Sequence, residues 1–261
     1  MNKVEPLVIK IAETRLDEKG VQKFARQYGA TDWLNHVRPA QPNDAEFLIE
    51  LSGRSCYKSF GLGLNPNITK IREDSRDYLT NILDKGDGSI LEHASVTFAF
   101  LKVSRVFSHE LVRHRAGTAI SQESLRYVRP REILLWLPPD LEFVSKEFHD
   151  AVQEITKRYH DLESRFNWDK MTFEQKKRVT SALRRILPDG IATNLVWTAN
   201  HRTIRWVIEM RTDPSAEVEI RNVFGQVAEI CMRDYPNLYG DFNRRDLPDG
   251  TAQYSPRFSK V

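Results

Sequence analysis

The stretch ILEHASVTFAFLKV, residues 90–103, carries a strong strand pattern near the middle of the chain. Val96, Phe98 and Phe100 alternate with small or weakly polar residues, so both faces of the segment are largely apolar. Such a pattern is typical of a strand whose two faces are at least partly covered. Residues 94–103 are therefore predicted to form a strand, with Glu92 and His93 at its entrance, where polar side chains often face a site.

Helical spacing dominates the segments around this strand. Ser104 is a suitable cap for a helix that runs to Arg115. Apolar spacing and cap residues predict further helices over 44–53, 68–85, 141–166, 172–186, 200–211 and 213–230. The helix at 172 begins with a Thr172–Gln175 capping box, the one at 200 with an Asn200 cap, and the last with Asp213 and Pro214.

The remaining segments read as short strands, loops and a tail. Residues 7–13 and 191–199 are predicted strands, whereas 14–42 is predicted to be a charged loop and the tail from about 241 to be peripheral. Strands and helices show no regular βαβ alternation. The sequence thus predicts a single α+β domain over 1–261, with mixed helices and a central antiparallel or mixed sheet.

Composition limits the class of protein. The 261 residues are 40% hydrophobic and 29% charged, which is typical of a globular chain and not of a disordered one. No apolar run approaches the roughly 20 residues of a membrane span, and the N-terminus lacks a signal-peptide core, so a cytoplasmic location is expected. Cys56 and Cys231 are far apart, which predicts neither a disulfide framework nor a metal site.

Positive charge is concentrated in one region. The net charge is only +3, which argues against a dedicated nucleic-acid-binding protein. The segment from Arg105 to Arg131, however, contains six arginines and two glutamates, so its net charge is +4. A field this local suits a small anionic ligand.

The segment RHRAGTAISQESLRYVRPR, residues 113–131, lies in this region and combines fixed cations with short hydroxyl and amide side chains. A charge-assisted hydrogen bond contributes about 1.5–3 kcal/mol net, whereas micromolar binding requires roughly 8 kcal/mol. Several arginines must therefore converge on one ligand, with phosphate as the obvious candidate.

Arg105 alone is expected to be a solvated basic residue. For Arg211, on the apolar stripe of its helix, snorkelling at the helix end and a role in a site are equally plausible interpretations.

The sequence lacks the common catalytic motifs. A Gly-rich dinucleotide fingerprint, a phosphate-cradling lysine loop, a zinc-binding helix motif and a serine-hydrolase elbow are all absent. The remaining side chains are arginine, histidine, serine, glutamine and asparagine, which bind and orient a substrate. The bond-making chemistry is therefore expected to come from a cofactor.

At these residues the chain resembles the flavin-dependent thymidylate synthases. The resemblance is carried by blocks that occur in family order: Glu92-His93, His109 to Arg115, Ser121 to Tyr127, Arg184 to Pro188, Asn200-His201-Arg202, Arg211 and Ala216 to Arg221, with Arg54 to Tyr57 as an early block. It implies an enzyme that methylates dUMP to dTMP, with methylenetetrahydrofolate as carbon donor and FAD reduced by NADPH. It also implies a homotetramer with active sites between subunits.

The resemblance also assigns roles to individual residues. It implies FAD contacts by Arg113, His114, Arg115, Gln122, Asn200, Arg202 and His93. It implies a dUMP site formed by Arg113, Gln122, Glu123, Ser124, Leu125, Arg126, Arg184 and Arg211. Arg211 is the expected catalytic residue, because a protonated guanidinium would favour the ionised N3 of the pyrimidine and activate C5. For His93 taken alone, a structural role is the favoured interpretation.

The chain departs from the family pattern at three places. Eight residues separate Arg115 from Ser124, one more than the family's usual spacing, so the intervening loop must bulge. Trp206 stands where the family often has histidine or asparagine near the flavin, and Ser215 replaces a histidine that is common after the activating arginine. Two alternatives stay open: a related pyrimidine-nucleotide methylase or hydroxymethylase, and a non-catalytic nucleotide- or RNA-binding module. Little aromatic interleaving apart from Tyr127 counts against RNA stacking.

Overall fold

A computed structural model describes residues 3–41, 43–61 and 72–259 of the chain. The strands are β1 (Leu7–Glu13), β2 (Ser95–Ser104), β3 (Thr118–Gln122), β4 (Ala192–Asn200), β5 (Phe242–Asp246) and β6 (Ala252–Pro256). The helices are α1 (Glu18–Tyr28), α2 (Thr31–Ala40), α3 (Asp44–Tyr57), α4 (Ser75–Lys85), α5 (Arg105–Leu111), α6 (Ser145–Glu163), α7 (Phe173–Leu183), α8 (His201–Arg211), α9 (Val218–Asp234) and α10 (Pro236–Tyr239). Short 3-10 segments cover Gly88–His93, Pro139–Val144, Trp168–Lys170 and Arg184–Ile186.

The central sheet is antiparallel, with four strands in the order β1, β2, β4, β3. This confirms the predicted α+β class and places the predicted strand 94–103 in the interior of the sheet. On its inner face, Phe98 stacks on Trp197 with ring centroids 6.1 Å apart, and Phe100 meets Phe107 at 5.5 Å. Helices α8 and α9 cover this face, and all four aromatic side chains are fully buried.

The outer face of the sheet is more exposed. Leu7, Ile9 and Ile11 of β1 are 48%, 40% and 52% exposed, and Val196 of β4 is 38% exposed. Thr97 and Ala99 of β2 are half-buried between them. The apolar outer face is therefore a surface that a second protein chain could cover.

The structure confirms the N-terminal cap residues that the sequence predicts for three helices, α5, α7 and α8. The side chain of Ser104 accepts from Phe107 N, that of Asn200 accepts from Thr203 N, and Thr172 forms the complete capping box with Gln175. Each cap satisfies an N–H group that the first helical turn leaves without a partner. Of the predicted helix 68–85, the structure has α4 from Ser75, and residues 68–71 lie outside the described ranges.

The predicted loop over 14–42 was wrong, because α1 and α2 occupy most of it. Val21 and Ala25 of α1 and Trp33 of α2 are buried in a small cluster with Phe47 and Phe60. The apolar residues occupy one narrow stripe of each helix, and the many charges on the other faces concealed it.

Other boundaries also differ from the predictions. The helix from Ser104 ends at Leu111, not at Arg115, because the chain turns there to enter β3, a strand that the sequence reading missed. Helix α9 begins at Val218, not at Asp213, because the Glu217 side chain caps it by accepting from Glu219 N and Ile220 N.

The tail from about 241 is not peripheral, which corrects the prediction. Strands β5 and β6 form a hairpin, and β6 packs on α8 and α9. Phe242 and Tyr254 are buried in the main core. Alternation of apolar residues along two very short strands was too brief to stand out from the polar residues between them. Within the described ranges, no helix is both long and apolar enough to cross a membrane.

Candidate active site

The turn that follows α5 lies against the start of α8. Thr203 Oγ donates to the carbonyl of Ala116 at 2.9 Å, and Asn200 N donates to that of Gly117 at 3.1 Å. Gly117 has a φ of 65°, and a Cβ atom there would lie 2.3 Å from Asn200 Nδ2. Only glycine fits this close approach without displacing Asn200. A tight glycine turn at Gly117 therefore leads from the segment after α5 directly into β3.

The start of α8 gathers several residues of the predicted flavin site. His201 N donates to the carbonyl of Ala94 at 3.1 Å, which places His93 beside Asn200 and Arg202. Arg202 Nη1 donates to Glu92 Oε1 at 2.6 Å on the surface. His93 itself is exposed. His93, Asn200, Arg202 and the turn after Arg115 thus share one end of the sheet.

The predicted catalytic residue Arg211, at the end of α8, is bonded to α5 and to the turn after it. Its Nε donates to His114 Nε2 at 2.8 Å, and its Nη1 donates to Glu110 Oε2 at 2.8 Å. Its Nη2 makes only a longer bond, 3.3 Å, to the carbonyl of Glu110. The sequence reading gave Glu110 no role, although Glu110 and His114 are four residues apart and so were candidates for one surface.

His114 is held in its neutral form. Burial, helped by the positive charge of Arg211, lowers the pKa of His114 to about 4. The Nε atom of arginine can only donate, so Nε2 of His114 must be the acceptor and its proton resides on Nδ1. A neutral imidazole thus orients Arg211 without adding a competing positive charge.

The predicted nucleotide-binding residues follow β3. Gln122 Nε2 donates to Ser108 Oγ at 3.1 Å, and Glu123 Oε2 accepts from Asn194 Nδ2 at 3.2 Å. Ser124 Oγ accepts from Arg126 N at 3.3 Å within a turn. No base contacts Ser124 among the described residues, so its hydroxyl is suited to binding and not to nucleophilic attack.

A cleft of about 290 Å³ opens beside these residues, and its lining includes Arg105, Glu123 and Leu125. Arg105 is half-buried, which corrects the expectation that it is a solvated basic residue. Burial and then the positive charge of Arg184 lower the pKa of Arg105, whereas the negative charge of Asp189 raises it. The Nη1 atom of Arg105 is buried and has no partner among the described residues. A buried N–H group without a partner is costly, so the cleft favours an anionic ligand there.

Sequence reasoning missed Arg105 because its neighbour Arg184 is distant along the chain. In the sequence Arg105 shares a helix face with His109 and Arg113, a pattern that is equally typical of a solvated basic edge. No sequence signal short of the fold could have shown that this arginine turns inward.

Three exposed arginines of the predicted site have guanidinium groups that are available to an anionic ligand. Among the described residues, no carboxylate pairs with the guanidinium groups of Arg113, Arg115 or Arg126, and all three residues are exposed. Unpaired guanidinium groups are the preferred donors for phosphate. The donor set therefore fits phosphate-bearing ligands such as nucleotides.

The two ends of the site are separated within one chain. The first lies at Asn200, where β4 ends, and the second at Asn194, near its start. Six residues of strand span roughly 20 Å. Asn200 and Arg202 are therefore well separated from Glu123.

Ser215, Trp206 and the two cysteines also stand out in the sequence, and their side chains have no described contact with the residues of the candidate site. Ser215 Oγ donates to Asp213 Oδ1 at 2.6 Å in the turn before α9, and Trp206 is 46% exposed on α8. Cys56 is exposed, whereas burial raises the pKa of the Cys231 thiol. Within the described ranges, no three His, Cys, Asp or Glu side chains are grouped to hold a metal ion.

Comparison with known proteins identifies similar chains. The family model described as thymidylate synthase complementing protein matches residues 40–237. A flavin-dependent thymidylate synthase of Mycobacterium tuberculosis is 35% identical over 215 residues, which cover 78% of this chain and 82% of the relative. One from Mycobacteroides abscessus is 34% identical over the same extent. A probable flavin-dependent thymidylate synthase of Mycobacterium phage L5 is 33% identical over 226 residues, or 81% of this chain and 84% of the relative.

Proposed function

This chain belongs to the flavin-dependent thymidylate synthase family, and from that premise we propose that it converts dUMP to dTMP by reductive methylation. The chain is an enzyme of the transferase class. Methylenetetrahydrofolate is the carbon donor in this proposal, and FAD reduced by NADPH is the hydride carrier. When bound, the flavin supplies the hydride chemistry for which no side chain of the protein is suited.

The observation that carries the proposal is the Arg211, His114 and Glu110 group. Two of the three guanidinium nitrogens are fixed at 2.8 Å by His114 and Glu110, whereas Nη2 has only a 3.3 Å bond. A fixed guanidinium costs no reorganisation when charge develops beside it. We assign to Arg211 the stabilisation of the ionised pyrimidine N3, which makes C5 more reactive toward the carbon donor.

The residues proposed to hold FAD are suited to its charged and polar groups. They are Arg113, His114, Arg115, Gln122, Asn200, Arg202 and His93. The exposed guanidinium groups fit the pyrophosphate of FAD. At Gly117 the backbone passes so close to Asn200 that no side chain fits between them, which fixes the position of Asn200. With its proton on Nδ1, His114 can donate one hydrogen bond while Arg211 occupies its other nitrogen.

The residues proposed for dUMP extend from the turn before β3 to the segment that follows it. It comprises Arg113, Gln122, Glu123, Ser124, Leu125, Arg126, Arg184 and Arg211, and we add Arg105 as a phosphate contact. The unpartnered Nη1 of Arg105 supports that addition, because a phosphate oxygen would satisfy it. Arg184 beside it would share the phosphate charge.

We further propose that the chain acts as one domain within a homotetramer whose active sites lie between subunits. The distance along β4 between Asn200 and Asn194 supports this, since a neighbouring copy could bring the two ends together. The exposed apolar residues of β1 offer a surface for such a copy. The main core, which includes Val8 and Tyr254, supports a single domain.

The test is to purify the protein and follow dTMP formation. We expect a yellow protein with bound FAD, whose NADPH oxidation depends on dUMP and not on dCMP. Arg211→Ala should lose dTMP formation by at least a hundredfold, the order of effect seen when one charge-stabilising donor is removed, and keep its flavin absorbance.

Activity near the wild-type level in Arg211→Ala would remove Arg211 from the mechanism. Turnover with dCMP instead of dUMP would favour the related methylase or hydroxymethylase. A colourless protein whose RNA affinity falls steeply with salt would favour the non-catalytic binding module.

A further inference from the structure

An exposed aromatic pair lies just beyond the predicted nucleotide site. Tyr127 and Phe173 are 53% and 66% exposed, their ring centroids are 6.3 Å apart, and their planes differ by 20°. Neither side chain belongs to the described apolar clusters. Two large rings held nearly parallel in water therefore add nothing to the core and offer a flat surface to a ligand.

Cations surround this pair. Lys177 Nζ lies 5.5 Å from the centroid of the Tyr127 ring, and Arg126 Cζ lies 5.9 Å from it. Lys177 is one turn beyond Phe173 on α7, and its one carboxylate neighbour, Glu174, is at the long distance of 3.9 Å. Residues 173–185 carry five Lys and Arg against that single glutamate. Flat aromatic rings with mobile cations beside them recognise a planar base that carries phosphate.

Charge argues against a second copy of the chain as the occupant. In an isologous interface the same patch lies on both sides, so this strongly positive surface would face itself. Like charges placed opposite each other across an interface repel and oppose association. A small anionic ligand removes the same apolar surface from water and gains from the same charges.

The pair is also separate from the dUMP cleft. The lining of that cleft includes Leu125 and Val128 but neither Tyr127 nor Phe173. A second nucleotide could therefore bind beside dUMP without displacing it.

We propose that Tyr127, Phe173 and Lys177 form a subsite for the adenine nucleotide half of NADPH. The proposal rests on the proposed function, which requires this hydride donor. Phe173, the more exposed ring, stacks on the adenine, and Lys177 attracts the phosphates. The subsite binds the donor and takes no part in the chemistry.

The test compares Phe173→Ala with Phe143→Ala, since Phe143 is another exposed phenylalanine, 85% exposed, in the 3-10 segment Pro139–Val144. We expect Phe173→Ala to raise the KM for NADPH on the order of tenfold, the loss of one base-stacking contact. Phe143→Ala should leave it unchanged. Values of kcat at saturating NADPH and the KM for dUMP should be the same in both variants.

A binding measurement needs no turnover. Calorimetry with 2′,5′-ADP should detect binding to the wild-type protein and to Phe143→Ala, with about tenfold weaker binding to Phe173→Ala and weaker binding to Lys177→Met at low salt. If the protein binds 2′,5′-ADP in this way but forms no dTMP, the subsite stands and the proposed reaction falls. If it forms dTMP and the two phenylalanine variants have equal KM values for NADPH, the subsite falls alone.

Three further results would overturn the proposal. Weaker FAD retention in Phe173→Ala would assign the rings to the flavin's own adenylate. A changed native mass would assign them to contact between subunits. Displacement of 2′,5′-ADP by a short oligoribonucleotide at lower concentration than by NADPH would assign them to RNA.

Discussion

Two sets of arginines in this chain share a residue type and differ in everything else. Arg54, Arg205 and Arg221 are at most 7% exposed, and each is bonded to a carboxylate and to backbone carbonyls. Arg113, Arg115 and Arg126 are exposed and have no carboxylate partner among the described residues. The first set holds the chain together, whereas the second is available to a ligand.

Arg54 illustrates the first set. Its Nε donates to Glu50 Oε1 at 2.8 Å, its Nη1 to the carbonyl of Ser59 at 2.8 Å and its Nη2 to that of Arg72 at 2.6 Å. Its guanidinium also lies over the Tyr78 ring at 4.2 Å. All three nitrogens of Arg54 are thus bonded within the protein, although Arg54 and Arg221 both lie in blocks through which the sequence resembles its family.

Arg211 lies between the two sets. It is bonded to Glu110 and His114, yet 18% of its side chain is exposed and one nitrogen is weakly bonded. Membership of a family motif therefore does not define an arginine's role. The number of its donors that the fold already occupies does.

The largest expected effect is on stability, at Arg54. Arg54→Met should lower the free energy of unfolding by about 3–5 kcal/mol, because it leaves the fully buried Glu50 without its cation. Arg115→Met, the same change in the exposed set, should alter it by less than about 0.5 kcal/mol. Urea denaturation of both variants measures the difference. Equal losses in the two variants would erase the distinction between the sets.

The next effect is on ligand binding, at Arg126. Arg126→Met should weaken dUMP binding about ten- to a hundredfold, since it removes one charge-assisted contact to phosphate. The thermal midpoint should stay at the wild-type value. Calorimetric titration with dUMP measures the change, and Arg158→Met, an exposed arginine paired with Glu154 on α6, is the matched control. Unchanged affinity in Arg126→Met would show that exposure alone does not identify a ligand-binding arginine.

The smallest expected effect is on the pH dependence of stability, and it concerns His114, the histidine that accepts from Arg211. The pKa of His114 is about 4 in the folded chain against 6.5 for an ordinary histidine. Between these values the unfolded chain binds the extra proton, so the contribution of His114 to stability is complete above pH 6.5 and declines as the pH falls toward 4. His114→Gln, which keeps an acceptor for Arg211 and cannot titrate, should lose less stability from pH 7 to 4.5.

Denaturation midpoints of the wild type and His114→Gln at the two pH values provide this test. His201 also has a lowered pKa, about 3, but it is present in both proteins and cancels in the difference. Parallel pH dependences would mean that His114 is not held neutral by Arg211 and by burial.

Much of the fold was predictable because its signals are local. The alternation in β2, the Asn200 cap of α8 and the capping box of α7 depend on residues within a few positions of one another. Helices α1 and α2 were missed because abundant charge concealed a narrow apolar stripe. The hairpin of β5 and β6 was missed because its strands are too short to show a period.

The site was predictable in its residue types and not in its contacts. The sequence by itself determined a dense group of arginines, a glycine that permits the tight turn before β3, and motif blocks in family order. Tertiary structure alone decided that Arg211 meets Glu110 across 101 positions, that Arg105 turns inward beside Arg184, and that Phe173 joins Tyr127. The physical reason is that caps and periodicities are short-range, whereas the partners that occupy or expose a charged group are set by packing between distant segments.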